Sequence, residues 1–160
     1  MRARRYSVLF IVAAVIVAAD QLTKLVVQAS MPPLGRVTVV KGFFDLIYVR
    51  NSGGAFGLLS RSDPAVSLPF FVIVTAGVAA LIIYYYRRIP PGQRLYRIAL
   101  AFILGGAAGN LVDRVRIGQV IDFLDFHLGR YHWPAFNAAD ACISAGAVMF
   151  LISLLRTERE

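Results

Sequence analysis

Leu104–Asp140, LGGAAGNLVDRVRIGQVIDFLDFHLGRYHWPAFNAAD, holds four of the chain's nine acidic residues, Asp113, Asp122, Asp125 and Asp140, with Asn110, Arg114 and Asn137 set among them. Two of these acids stand at the edges of apolar runs. Asp113 closes the run that begins at Ile98, and Asp140 opens the one that continues to Leu155. A carboxylate at the end of a membrane-crossing helix is costly to keep there and is usually functional.

Composition agrees with a membrane reading. The 160 residues are 58% hydrophobic and only 16% charged, with a mean hydropathy of +0.66, too apolar for a soluble domain of this size. The formal net charge of +8 comes from arginines gathered between apolar segments. Membrane topology accounts for that pattern, and nucleic-acid binding is not expected. The single Cys142 rules out an internal disulfide and reads as a packed, inert thiol.

Arg2, Arg4 and Arg5 precede the apolar run Val8–Ala19, and Val17-Ala18-Ala19 resembles the cleavage site of a removable signal peptide. Apolar character resumes with Leu22, Leu25, Val26 and Val27, so a retained first helix over about residues 8–27 is expected. Asp20 lies in its outer part with Lys24 at i+4. That spacing fits either a plain ion pair snorkelling to the interface or a group belonging to a site.

Residues Met31 to Asp63 change character. Pro32-Pro33 and Gly35 break the helix, and the β-favouring residues that follow predict a small surface sheet over about 36–50, turning at Lys41-Gly42. Asn51-Ser52-Gly53-Gly54 is expected to be a flexible turn with room for backbone to approach a ligand closely, although Asn and Gly in loops are usually only turn formers. Further apolar helices are expected over about 66–86, 98–112 and 138–155. The fold class is thus an α-helical integral membrane protein, four transmembrane helices with a small extracytoplasmic sheet between the first two, forming one membrane-embedded domain over 1–160. Nine arginines in the N-terminal, 87–97 and C-terminal segments predict that both termini are cytoplasmic. On that topology Asp20, Asp113, Asp122 and Asp140 converge on the outer face.

Asn110, Asp113 and Arg114 share one helical face at i, i+3 and i+4, where Arg114 is placed to pair with a carboxylate. Gly105 and Gly109 form a small-xxx-small pair, read as helix packing. Asn137 is a good N-cap and Asp140 stands at the back-bonding position of a capping box. Capping is compatible with catalysis: a second carboxylate beside Asp140 would make a coupled pair, one ionised and one protonated, able to activate water and polarise a scissile carbonyl. Asp122 and Asp125 are both candidates for that partner; extended backbone puts them on opposite faces, a helix on one. His127 and His132 lack the HExxH spacing of zinc peptidases and read as interfacial side chains. There is no GxSxG motif. A proton-coupled transporter component would string ionisable groups through the bilayer, and the second helix has none; a structural assembly factor is the remaining alternative.

DQLTK at Asp20–Lys24, the Asn51 turn with Gly53, GGAAGNLVDR at Gly105–Arg114, VIDF at Val120–Phe123 and FNAADACI at Phe136–Ile143 together resemble the motifs of the bacterial signal peptidase II family over essentially the whole chain. The resemblance implies an aspartic endopeptidase of the cytoplasmic (inner) membrane that removes signal peptides from prolipoproteins just before the diacylglyceryl-modified cysteine. It selects Asp122 and Asp140 as the catalytic dyad. Asp20, Asn51, Asn110, Arg114 and Asn137 match positions that line or support such a site, and Asp113 matches a structural motif position. Lipidated prolipoproteins and membrane lipids are the implied partners. No cofactor, metal or obligate partner subunit is implied. The turn departs from the family's N-x-G-A-A-F-S at Gly54 and Gly57, which is expected to loosen that segment.

Overall fold

The computed structural model describes residues 2–54, 58–59, 62–90 and 92–157. Element order is α1 (Arg2–Ser30), β1 (Arg36–Val40), β2 (Phe44–Asn51), α2 (Pro64–Tyr86), α3 (Arg94–Ile117), β3 (Val120–Leu128), β4 (Tyr131–His132) and α4 (Ala138–Thr157). Among the described residues four helical segments, Tyr6–Ser30, Ala65–Tyr86, Arg94–Ile117 and Ala138–Arg156, are long and apolar enough to cross a membrane. The shortest has 19 residues, about 28 Å at the helical rise, close to the thickness of the hydrocarbon core.

Helix α3 packs against α1, α2 and α4. Its glycines permit the approach. A Cβ on Gly105 would come to 3.0 Å from the Ala13 backbone of α1, and one on Gly106 would collide with the Ala139 carbonyl of α4. Gly105 therefore serves helix packing, as the small-xxx-small spacing suggests, whereas a Cβ on Gly109 would meet the Asp20 carboxylate at 2.7 Å and the Ala139 Cβ at 3.3 Å, so this glycine also makes room for a buried acid. α3 is longer than the predicted 98–112: Asp113 and Arg114 continue it to Ile117, and Gly118 ends it in the left-handed conformation (φ 74°), which glycine adopts without a Cβ penalty. At the start of α2, the Asp63 side chain caps the helix by accepting from the Ala65 N–H at 2.8 Å.

The sheet exceeds its predicted extent. It is four-stranded, in the order β1-β2-β3-β4 and antiparallel throughout, so β3, which follows α3, pairs with β2, which precedes α2. A bulge between Leu46 and Val49 shifts the β2–β3 register, so Asp45 stands opposite Asp125 and Val49 opposite Asp122. Two buried apolar clusters form. One contains Leu9, Ile82, Tyr86, Ile89, Leu100 and Ala101; the other, where the sheet meets α1, contains Val27, Tyr48, Ile121 and Phe123. Along α1, between Leu9 and Val27, lie Asp20 and Lys24, both fully buried.

Candidate active site

Asp20, Gln21 and Lys24 occupy adjacent turns of α1. Lys24 does not snorkel: its Nζ lies 2.8 Å from Asp20 Oδ2, 2.7 Å from Asp113 Oδ2 and 3.1 Å from Asn110 Oδ1. A buried ammonium needs such company, since desolvation is repaid only by close opposite charges and full hydrogen bonding. Asp20 Oδ1 also accepts the Ala139 N–H at 3.0 Å, taking up an otherwise orphaned donor at the positive end of α4. Gln21 donates to Asp113 Oδ1 at 2.9 Å, and Asp113 Oδ2 accepts the Ile121 N–H at 3.2 Å. This one cluster binds α1, α3, α4 and β3 together.

Two further carboxylates stand beside it. Asp122, on β3, accepts from Asn137 Nδ2 at 2.7 Å and from Asn51 Nδ2 at 3.1 Å. Asp140, in the first turn of α4, accepts from Asn110 Nδ2 at 2.7 Å and from the Asn137 backbone N–H at 3.3 Å. Its own N–H donates to Asn137 Oδ1 at 3.0 Å, completing the reciprocal capping box. Asn137 Nδ2 also donates to Asn110 Oδ1 at 3.1 Å. A continuous path therefore runs Asp122–Asn137–Asn110–Asp140, and Lys24 enters it at Asn110 Oδ1. Asp122 is buried, which pushes its carboxyl up to about 6; the hydrogen bonds from Asn51 and Asn137 and the charge of Lys24 oppose the rise, and the charge of Asp140 adds to it.

Asp125 lies elsewhere. β3 is extended, so Asp122 and Asp125 point to opposite faces, and Asp125 is held by Arg36 at 3.2 Å and His132 at 2.8 Å. Arg114 donates not to a carboxylate but to backbone carbonyls, Gly53 O at 2.9 Å and Asn110 O at 3.4 Å, and its guanidinium lies 3.9 Å from the centroid of the Phe71 ring. It thereby ties the Asn51 turn to α3. Within that turn, Asn51 Oδ1 accepts the Gly53 N–H at 2.9 Å, as an Asx-turn does. Gly54 is in close contact with its surroundings: its N–H donates to Leu58 O at 2.7 Å, and a Cβ there would come to 3.0 Å from the Phe71 ring. Gly57 lies outside the described residues.

All eight residues singled out from the sequence, Asp20, Asn51, Asn110, Asp113, Arg114, Asp122, Asn137 and Asp140, thus fall in one hydrogen-bonded neighbourhood. Lys24 and Gln21 join them. Lys24 carried a sequence signal, its i+4 spacing from Asp20; Gln21 lies within the DQLTK motif but was not singled out from it.

Among the described residues, four membrane-length helices beside a cluster of carboxylates and asparagines fit the class of helical membrane enzymes that work with aspartates. The chain belongs to the signal peptidase II family: the profile described as Signal peptidase (SPase) II matches residues 12–156. It is 45% identical to the lipoprotein signal peptidase of Syntrophotalea carbinolica, over 98% of this chain and 96% of that one. It is 48% identical to the lipoprotein signal peptidase of a Janthinobacterium species, over 91% and 86%. Two solved structures, bacterial membrane enzymes obtained by the in meso method at 2.3 and 1.9 Å resolution, superpose with TM-scores of 0.82 and 0.80, each at 30% identity. They cover 92% of this chain, and 87% and 92% of their own.

Proposed function

We propose that this multi-pass inner-membrane aspartic endopeptidase removes signal peptides from prolipoproteins by cutting immediately before the diacylglyceryl-modified cysteine, with Asp122 and Asp140 as its catalytic dyad. The observation that carries the reading is the hydrogen-bonded path from Asp122 through Asn137 and Asn110 to Asp140. It positions two carboxylates from different elements while sparing each some capacity to accept a water or a proton.

With one carboxyl protonated and the other ionised, the ionised one takes a proton from water as the oxygen attacks the scissile carbonyl. The protonated one gives its proton to the carbonyl oxygen. Collapse of the tetrahedral intermediate passes a proton to the departing amide nitrogen and restores the pair. The dyad itself supplies both the base and the acid. Asn51, held by Arg114 through Gly53, sustains Asp122; Asp20, Lys24 and Asp113 fix α1, α3 and β3 around the pair. Arginine placement supports a topology with both termini in the cytoplasm and the dyad near the outer face. There a hydrophobic signal helix with its lipid chains enters sideways from the bilayer, and water reaches the scissile bond.

The test is cleavage of a diacylglyceryl-modified prolipoprotein by purified protein in detergent. Wild type is expected to cleave in the presence of a metal chelator, while Asp122→Asn and Asp140→Asn fold and lose at least about a thousandfold in rate, as removal of a central catalytic group does. Normal turnover by either variant would overturn the dyad assignment.

A further inference from the structure

We propose that Asp125, His127 and His132 form a binding site for one divalent transition-metal ion of the zinc type, on the sheet and distinct from the Asp122–Asp140 pair. Asp125 and His127 are two residues apart in β3 and share a face. His132 of β4 is paired directly across from His127, so its side chain rises on that face beside it. One ligand atom from each of the three lies within 4.8 Å of the other two. The two imidazoles are nearly parallel, with centroids 4.7 Å apart and planes at 21°.

A second observation points to a ligand. His127 Nδ1 is buried and has no hydrogen-bond partner, and a buried polar atom left unsatisfied in a folded protein calls for a water or an ion. Both histidines line a cavity of about 320 Å³ together with Phe43, Tyr131 and Trp133. The carboxylate is already oriented: Arg36 holds Asp125 Oδ2 at 3.2 Å, the type of outer contact that fixes a metal ligand. Two imidazoles and one carboxylate suit zinc, copper or nickel better than magnesium or calcium, which favour all-oxygen shells.

Binding exchanges the present His132 Nδ1–Asp125 Oδ1 contact of 2.8 Å for bonds of about 2 Å to the ion, leaving a tetrahedral position for water. Contraction of the cluster is within reach because His132 is 41% exposed and sits on a two-residue strand. The ion would clasp the β3–β4 hairpin, whose Leu128, Tyr131 and Trp133 are exposed. None of the three ligands touches the dyad, so the proposal stands independently of the peptidase reading.

The test uses the full chain in detergent, purified without a histidine tag, stripped with chelator and titrated with Zn²⁺ by calorimetry. Expected are one Zn²⁺ per chain, a rise in melting temperature on binding, and at least about tenfold weaker binding in both H127Q and H132Q. Quenching of the single tryptophan, Trp133, by Co²⁺ gives a local readout that both variants should lose. No stoichiometric binding, or binding and quenching undiminished in H132Q, would overturn the site. The exposed His132 makes that variant the one least able to disturb folding, and its metal-free melting temperature, expected to match wild type, verifies this.

Discussion

Lys24 is the residue on which the buried charges turn. It is the shared partner of Asp20 and Asp113, so replacing it leaves two desolvated carboxylates facing one another's field. Lys24→Met is expected to cost about 3–5 kcal/mol, the cost of breaking a buried pair from one side, seen as a lowered melting temperature in detergent. Asp122 shows the opposite sign. Its carboxyl titrates at about 6 in the fold, above the ordinary value near 4, so the folded protein holds its proton more tightly than the unfolded chain. Stability is therefore full below about pH 4 and falls as pH rises toward 6, by an order of 2–3 kcal/mol. Asp122→Asn is expected to raise the melting temperature relative to wild type at pH 8 and to lose that advantage at pH 4, even as it abolishes cleavage. The Asn51 hydrogen bond works against the raised value, so Asn51→Ala should move the alkaline limb of the pH–rate profile to higher pH. An unmoved limb would remove Asn51 from the electrostatics of the dyad.

At the scale of elements, the α3–α4 contact depends on missing side chains. A Cβ on Gly106 would overlap the Ala139 carbonyl, in the same turn of α4 that presents Asp140. Gly106→Ala is expected to push α4 away, costing about 1–3 kcal/mol and lowering the cleavage rate through misplacement of Asp140. Gly77→Ala in α2 meets nothing within 4 Å and should be neutral or slightly stabilising, because alanine is the better helix former. Equal losses in both would refute the close-packing account. The N-terminus of α4 could be read in advance, because a capping box is a local pattern of four residues. The pairing of β3 with β2 could not, because 68 residues, 52 to 119, separate the two strands, and nothing in either strand's own alternation names its partner.

Across the whole molecule, both ends of the chain are proposed to lie on the arginine-rich side and the sheet on the other. Single cysteines at Thr38 and Gly92, both exposed positions, introduced into a Cys142→Ser background, test this in intact cells. A membrane-impermeant thiol reagent should label Thr38→Cys from outside and Gly92→Cys only after lysis; the reverse would invert the topology and move the dyad to the cytoplasmic face.

Hydropathy, arginine placement and capping chemistry are carried by short stretches of chain, and those stretches alone determined the four spans and the Asn137–Asp140 box, while the full set of eight polar residues, and Asp122 over Asp125 among them, came from the motif resemblance. Their convergence was read from motif resemblance and topology. What only the tertiary structure decided was non-local: that Lys24 is sealed between Asp20 and Asp113 instead of reaching the interface, that Arg114 grips Gly53, that Gln21 joins the network, and that extended backbone turns Asp125 away from Asp122 toward Arg36 and His132. Each depends on which surfaces meet after folding, and side-chain periodicity specifies the face a residue occupies without specifying what that face will touch.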